Sequence, residues 1–203
     1  MLYIIDYGSG NLRSVQKAFE HVGVLAQVGS DPGRIRDAAG LVLPGVGAFG
    51  AAMEELERRG LPQVIGERVA AGVPFLGVCL GLQLLFEGSE ESPGVPGLGL
   101  VRGDVRRLPA DLKVPHIGWN QVESMKDSDL TEGIPDGAAF YFVHSYVVVP
   151  VRPADVLTTT EYGLTFVSGV ELDNVAAFQF HPEKSSALGL RLYENFARRV
   201  YQG

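Results

Sequence analysis

Val73-Pro-Phe-Leu-Gly-Val-Cys-Leu-Gly-Leu-Gln-Leu-Leu-Phe86, written VPFLGVCLGLQLLF, carries the only cysteine of the chain. Its first half is a short apolar run, the pattern of a strand covered on both faces, and its second half has the texture of a helix. The thiol sits at the join, between Gly77 and Gly81, in the form G-x-C-x-G. With 26 glycines in 203 residues, glycine on both flanks arises by chance about one time in sixty, so the pattern needs partners before it carries weight. Physically it is the thiol version of a nucleophile elbow, in which a sharp turn lifts the side chain above the carboxyl edge of a sheet. Flanking glycines permit close backbone packing, and a helix start offers positive charge to a thiolate and the Leu80 N–H to an oxyanion. A buried structural thiol is the competing reading.

The strand–turn–helix unit recurs upstream. Leu2–Ile5 is a continuous apolar run, followed by the turn Asp6-Tyr7-Gly8-Ser9-Gly10-Asn11 and by Leu12, Val15, Ala18, Phe19 and Val22 at helical spacing, with Gly23 as a stop. Leu41–Leu43 leads through Pro44-Gly45-Val46-Gly47 into a helix over Ala51–Arg59, and another is expected over Pro62–Ala71. Alternation of this kind implies right-handed crossovers and a mostly parallel sheet with helices on both faces. Beyond Gly88 a Gly/Pro-rich loop gives way to strand candidates at Val101–Leu108, Phe140–Val149, Val156–Thr160, Thr165–Val170 and Val175–Phe180. Glu161-Tyr162-Gly163-Leu164 reads as a hairpin turn, and Ala187–Val200 as a closing amphipathic helix. The expectation is one α/β domain over residues 1–203, an open sheet with a parallel core and added antiparallel strands.

A hydrophobic content of 46 % suits a chain that buries a sizeable core. A net charge of −7 argues against a nucleic-acid partner. One cysteine forbids an internal disulfide, and MLYIIDYGSG lacks the basic start of a signal peptide. No apolar run is long enough to span a bilayer. A soluble, cytoplasmic protein with no membrane partner, metal or cofactor is expected.

A thiol nucleophile needs a base, and the base needs an orienting group. Of four histidines, His21 reads as a surface residue, and nothing near His116 gives it a role. His144 interrupts an apolar run and could be a satisfied core residue or line a pocket. His181 stands where the strand Val175–Phe180 runs into His181-Pro182-Glu183, at the sheet edge where ligands of open α/β sheets bind. Pro182 pushes His181 toward an extended conformation, and residues two apart in an extended segment project to one side, which would set Glu183 against the imidazole. A strand ending in H-P-E is equally a plain turn; the elbow favours a Cys79–His181–Glu183 triad. A second oxyanion donor is expected from the peptide N–H near Val46 or Gly47, in a loop that could also be an ordinary connection. On this chemistry the chain is a cysteine-dependent acyl transferase or hydrolase acting on an amide, ester or thioester.

GVCLGLQLLFE with HPEKSS resembles the class I (triad) glutamine amidotransferases, whose open sheet is flavodoxin-like. IIDYGSGNLRSVQKAFE, LPGVGAFG, PHIGWNQV and YFVHSY extend the resemblance to the glutaminase subunits of imidazole glycerol phosphate synthases, from Ile4 to Ser186. The resemblance implies that Cys79 attacks the side-chain amide of glutamine, with His181 as base and then acid, through a glutamyl thioester. It implies that Gly45, Gln83, Glu91, His144, Ser145 and Tyr146 form the glutamine pocket. It also implies a partner, a (β/α)₈-barrel cyclase that forms a heterodimer with this subunit and consumes the ammonia in histidine biosynthesis. Asn11, Trp119, Tyr141 and Lys184 match positions that would contact that partner.

Overall fold

The computed structural model describes residues 1–202. In chain order the elements are β1 (Leu2–Ile5), α1 (Leu12–His21), β2 (Ala26–Gly29), α2 (Pro32–Arg36), β3 (Gly40–Gly45), α3 (Phe49–Arg58), α4 (Leu61–Ala70), β4 (Phe75–Cys79) and α5 (Leu80–Gln83). There follow β5 (Gly88–Ser89), β6 (Gly103–Arg107), β7 (His116–Ser124), β8 (Ala138–His144), β9 (Tyr146–Pro150), β10 (Val156–Glu161), β11 (Thr165–Leu172), β12 (Val175–Phe178) and α6 (Ser186–Gln202). The main sheet path runs β2-β1-β3-β4-β12-β11-β10-β7-β8, with β9 pairing both β11 and β6, and β5 pairing β6. Along that path pairing is parallel from β2 through β12 and antiparallel from β12 to β8, as the change of texture after Gly88 implies, while the short β5 runs parallel to β6.

Two apolar cores flank the parallel strands, because successive residues of a strand point to opposite faces. Tyr3, Ile5, Leu41 and Leu43 pack on one face with Phe49, Met53 and Leu56 of α3 and Val64 and Ile65 of α4. Leu2, Ile4, Val42, Leu76 and Val78 pack on the other with Val15 and Phe19 of α1 and Leu192, Tyr193 and Phe196 of α6. Burying each such side chain is worth about 1.5–3 kcal/mol, which is what clamps these helices to the sheet. Among the described residues no helix is long and apolar enough to cross a membrane.

The structure departs from the sequence reading where the apolar pattern is diluted or shared. β2 is a half-buried edge strand of four residues, and β7 alternates buried with exposed positions that include Ile117 and Trp119, so neither stands out as a strand. The run Phe140–Val149 is two strands broken at Ser145, because β8 pairs β7 while β9 pairs β6 and β11. The expected helix after Cys79 is a single turn, since Leu84, Leu85 and Phe86 are buried core residues outside it. The hairpin between β10 and β11 forms as read, with Gly163 at φ 70°.

The register sets three chain segments side by side. Gly45 at the end of β3 lies opposite Cys79, and Phe178 at the end of β12 lies opposite Val78. The loop after β3, the elbow after β4 and the segment after β12 therefore leave the sheet at one rim. A Cβ at Gly81 would collide with the Leu43 carbonyl oxygen, and one at Gly77 would stand 2.9 Å from the Ala177 Cβ and from the Gly81 carbonyl oxygen. The elbow fits between β3 and β12 only because both positions are glycine. Gly81→Ala is expected to lower the free energy of unfolding by about 1–3 kcal/mol, read from urea denaturation, because the backbone of β3 must give way.

Candidate active site

Cys79 adopts φ 55°, ψ −110°, a positive-φ conformation that a non-glycine residue holds only when its surroundings enforce it. Cys79 is nearly buried, at 6 % exposure, and lines a pocket of about 300 Å³. Val46, Gly47, Leu80, Gln83, Glu91, His144, Ser145 and Tyr146 line that pocket with Cys79, as do Pro115 and Val143, which the sequence did not single out. Gly45 stands behind the wall, packed against Tyr7 and Leu80. The thiol faces the Val143 carbonyl oxygen at 3.9 Å, and the Gln179 amide nitrogen lies 3.8 Å from the sulfur.

Because α5 is a single turn, the expected helix charge at Cys79 is limited to that turn's free N–H groups. Across the pocket, Gly47 has φ 99°, and Ser9 Oγ donates to the Val46 carbonyl oxygen. Among the described residues no acceptor holds the Val46 or Gly47 amide. Glu91 is anchored rather than free, its carboxylate accepting from the Phe49 N–H at 2.7 Å at the start of α3.

His181 and Glu183 meet, but not by the expected route. Glu183 lies in a 3₁₀ turn over Pro182–Lys184, not in an extended segment, and the turn curls the carboxylate back to place Oε1 2.8 Å from His181 Nδ1. The His181 backbone is fixed at both ends: its N–H donates to the Tyr141 carbonyl, and its carbonyl accepts from Ser185 Oγ at 2.6 Å. Tyr193 of α6 donates to the other carboxylate oxygen at 3.3 Å, a buried support that the sequence reading missed. Its only sequence signal was an aromatic on the buried face of the last helix.

Burial pulls the His181 pKa down, but Cys79 and Glu183 outweigh it, by hydrogen bonding and by charge, and push it up to about 10. Nε2 is buried with no partner at hydrogen-bond geometry among the described residues, so its contact with the sulfur stands open. Catalytic contacts often tighten only once substrate is bound. His144 has the opposite fate: burial foremost, and then the charges of His116 and His181, drive its pKa down to about 3 against a stabilising bond to the Tyr146 carbonyl. One imidazole is built to hold a proton and the other to stay neutral. Among the described residues no three His, Cys, Asp or Glu side chains cluster as a metal site.

The family model described as "Glutamine amidotransferase class-I" matches residues 3–200. The chain belongs to the class-I glutamine amidotransferases. Among relatives of this amidotransferase, an "Imidazole glycerol phosphate synthase subunit HisH" of Aquifex aeolicus is 56 % identical over 198 residues, covering 97 % of this chain and 96 % of the relative. The protein of the same name from Moorella thermoacetica is 54 % identical, covering 97 % and 94 %. Two solved structures share the amidotransferase's fold at low identity. PurLQS from Thermotoga maritima gives a TM-score of 0.74 at 17 % identity, covering 99 % of this chain and 97 % of that one. The glutaminase domain of Trypanosoma brucei CTPS with bound acivicin gives 0.70 at 18 %, covering 99 % and 93 %.

Of the four residues expected at a partner surface, Trp119, Tyr141 and Lys184 cluster around one ladder. Trp119 of β7 is 54 % exposed and meets Tyr141 of β8 edge to face at 6.2 Å, with the Lys184 ammonium 5.7 Å from the Tyr141 ring centre. Asn11 caps α1 in position but makes no side-chain cap bond.

Because the His181 pKa lies above the ordinary 6.5, its stabilising contacts are complete below pH 6.5 and are lost as pH rises through about 10. Cys79→Ala removes one of the two groups that raise it. The variant is expected to titrate His181 at a lower pH in histidine-labelled NMR spectra, and the alkaline loss of stability should move down with it.

Proposed function

We propose that this amidotransferase is the glutaminase subunit of an imidazole glycerol phosphate synthase. Glutamine occupies the pocket beside Cys79, whose proton passes to His181 as the sulfur attacks the side-chain amide carbon of the substrate. The oxyanion is received by the Leu80 N–H and by the N–H of Val46 or Gly47, which have no competing acceptor among the described residues. His181 gives the leaving nitrogen its proton, releasing ammonia and leaving a glutamyl thioester. It then takes a proton from water as water attacks the thioester, and glutamate departs with the thiol restored. Glu183 holds the imidazole and stabilises its charged form, as the orienting carboxylate of a triad does.

The observation that carries this reading is the convergence of Cys79, His181 and Glu183 beside a pocket of small-molecule size. The relatives named as synthase subunits support membership of a multi-subunit synthase; in our reading the other subunit is a (β/α)₈-barrel cyclase that receives the ammonia. Free ammonia is protonated in neutral water and ceases to be a nucleophile, so direct transfer to the partner preserves its reactivity. We assign the partner contact in a heterodimer to Asn11, Trp119, Tyr141 and Lys184, in keeping with the exposed aromatic on β7. A free thiol at the reacting centre suits a reducing compartment, here the cytoplasm.

Mixed with a cyclase subunit, the chain is expected to form imidazole glycerol phosphate from glutamine. Cys79→Ala should abolish glutamine-dependent product while leaving synthesis from added ammonia intact. Glu183→Gln should lower kcat for glutamine by on the order of 10²–10⁴ with little change in KM. Normal glutamine turnover by Cys79→Ala would sink the assignment.

A further inference from the structure

His116 is buried at the first position of β7, directly across the ladder from His144 at the last position of β8. Their rings bond, His116 Nδ1 to His144 Nε2, at 2.9 Å. His144 Nδ1 lies 2.9 Å from the Tyr146 carbonyl oxygen, and His116 Nε2 lies 3.3 Å from Asn120 Nδ2. The direction of every bond in this chain is settled from its two ends. The Asn120 amide cannot turn over, because its Oδ1 accepts from the Gln121 N–H at 2.8 Å and its Nδ2 donates to the Glu161 carbonyl at 2.9 Å. It therefore presents an N–H to His116, whose Nε2 must accept. That places the His116 proton on Nδ1, facing His144 Nε2. From the other end, the Tyr146 carbonyl can only accept, so His144 carries its proton on Nδ1 and accepts at Nε2. Both derivations agree on one proton per ring. Stacking of His116 against Tyr162 at 4.0 Å and Phe142 at 5.0 Å holds its plane.

The chain of bonds does not stop at Tyr146. The same carbonyl oxygen accepts from Gln83 Nε2 at 3.3 Å, and Gln83 Nε2 also reaches Gln179 Oε1 at 3.1 Å. Gln179 Nε2 is the amide nitrogen facing the Cys79 sulfur. Both nitrogens of His144 are thus committed inside the protein, so this histidine lines the pocket with its ring and has no nitrogen free for a ligand.

We propose that His116 is a positioning residue for the glutamine site, fixing the tautomer of His144 and, through the Tyr146 carbonyl, the place of the Gln83 amide beside Cys79. It touches no substrate and takes no proton in the reaction. This rests on the reading that the pocket takes glutamine. If the Nδ1–H donor is lost, His144 Nε2 is left buried and unpaired, and its ring turns over or moves its proton to satisfy that nitrogen. The Tyr146 carbonyl then loses its donor, and Gln83 loses a fixed acceptor.

The test uses the full chain assembled with a cyclase subunit and compares two replacements that differ in one hydrogen bond. His116→Phe keeps a stacking ring and removes the donor; His116→Asn places an amide N–H where Nδ1 stood. The phenylalanine variant is expected to raise KM for glutamine about tenfold, the scale of one lost buried hydrogen bond, with kcat within about threefold of the parent. The asparagine variant should recover most of that loss. Nitrogen-15 spectra of labelled histidine should show His144 as the Nδ1–H tautomer in the parent and the asparagine variant, and a mixture in the phenylalanine variant. Equal losses in both variants, or an unchanged His144 tautomer and KM in His116→Phe, would overturn the proposal. Should His116→Phe fail to fold, Asn120→Asp takes its place, since a carboxylate facing Nε2 calls the proton there and is expected to reverse both tautomers. An unchanged tautomer and KM in that variant would likewise overturn it. A parent complex inert toward glutamine would refute the proposed function together with this role, whereas the tautomer spectra report on the relay whatever the substrate.

Discussion

The site depends on three parallel strands ending at one level. β4 lies between β3 and β12, with Gly45 opposite Cys79 and Phe178 opposite Val78, so sulfur, loop amides and imidazole are fixed to a common hydrogen-bonded frame. A one-residue slip of any ladder would turn the side chains beyond it to the other face. The strained conformation at Cys79 survives because this frame leaves no alternative: Gly81 is wedged against Leu43, and Gly77 against Ala177. Backbone pairing energy, spread over the sheet, is thereby concentrated on the direction of a single sulfur.

Two histidines of nearly equal burial are driven to opposite protonation states within this frame. His181 faces a carboxylate and a sulfur, and these outweigh the desolvation of its charged form. His144 faces another imidazole and a carbonyl, and desolvation wins. The difference lies in the partners rather than in the depth of burial, and it separates an imidazole that favours its charged form from one held neutral. Tyr193 and Ser185 complete the first arrangement by tying the carboxylate and the backbone of His181 to the last helix and its lead-in.

Much of this was legible in the chain itself. The elbow announced itself through Gly77 and Gly81 around a lone thiol, and the strand running into His181-Pro182-Glu183 named its partner. The route by which Glu183 reaches His181 was misread, because a proline that restricts the residue before it also opens a 3₁₀ turn after it. The helix beyond Cys79 was overread for a related reason: Leu82, Leu84, Leu85 and Phe86 are apolar on every side, and such a run is equally a packed turn. His116, Pro115, Val143 and Gln179 stayed hidden. Their importance comes from cross-strand neighbours in β7, β8 and β12, and no local spacing encodes which residue will lie across a ladder.

β12 sits in the interior of the sheet, between β4 and β11, although nearly a hundred residues separate it from β4 in the chain. A polypeptide emerging from the ribosome therefore carries the Cys79 sulfur long before the strand that leads to His181 exists, and β4 meanwhile exposes an unpaired edge. Closure of that gap is a late, long-range event, costly in loop entropy and slow by nature. Until β12 is in place Cys79 and His181 cannot come together, and that same interval is when the open edge of β4 most needs shielding from its neighbours.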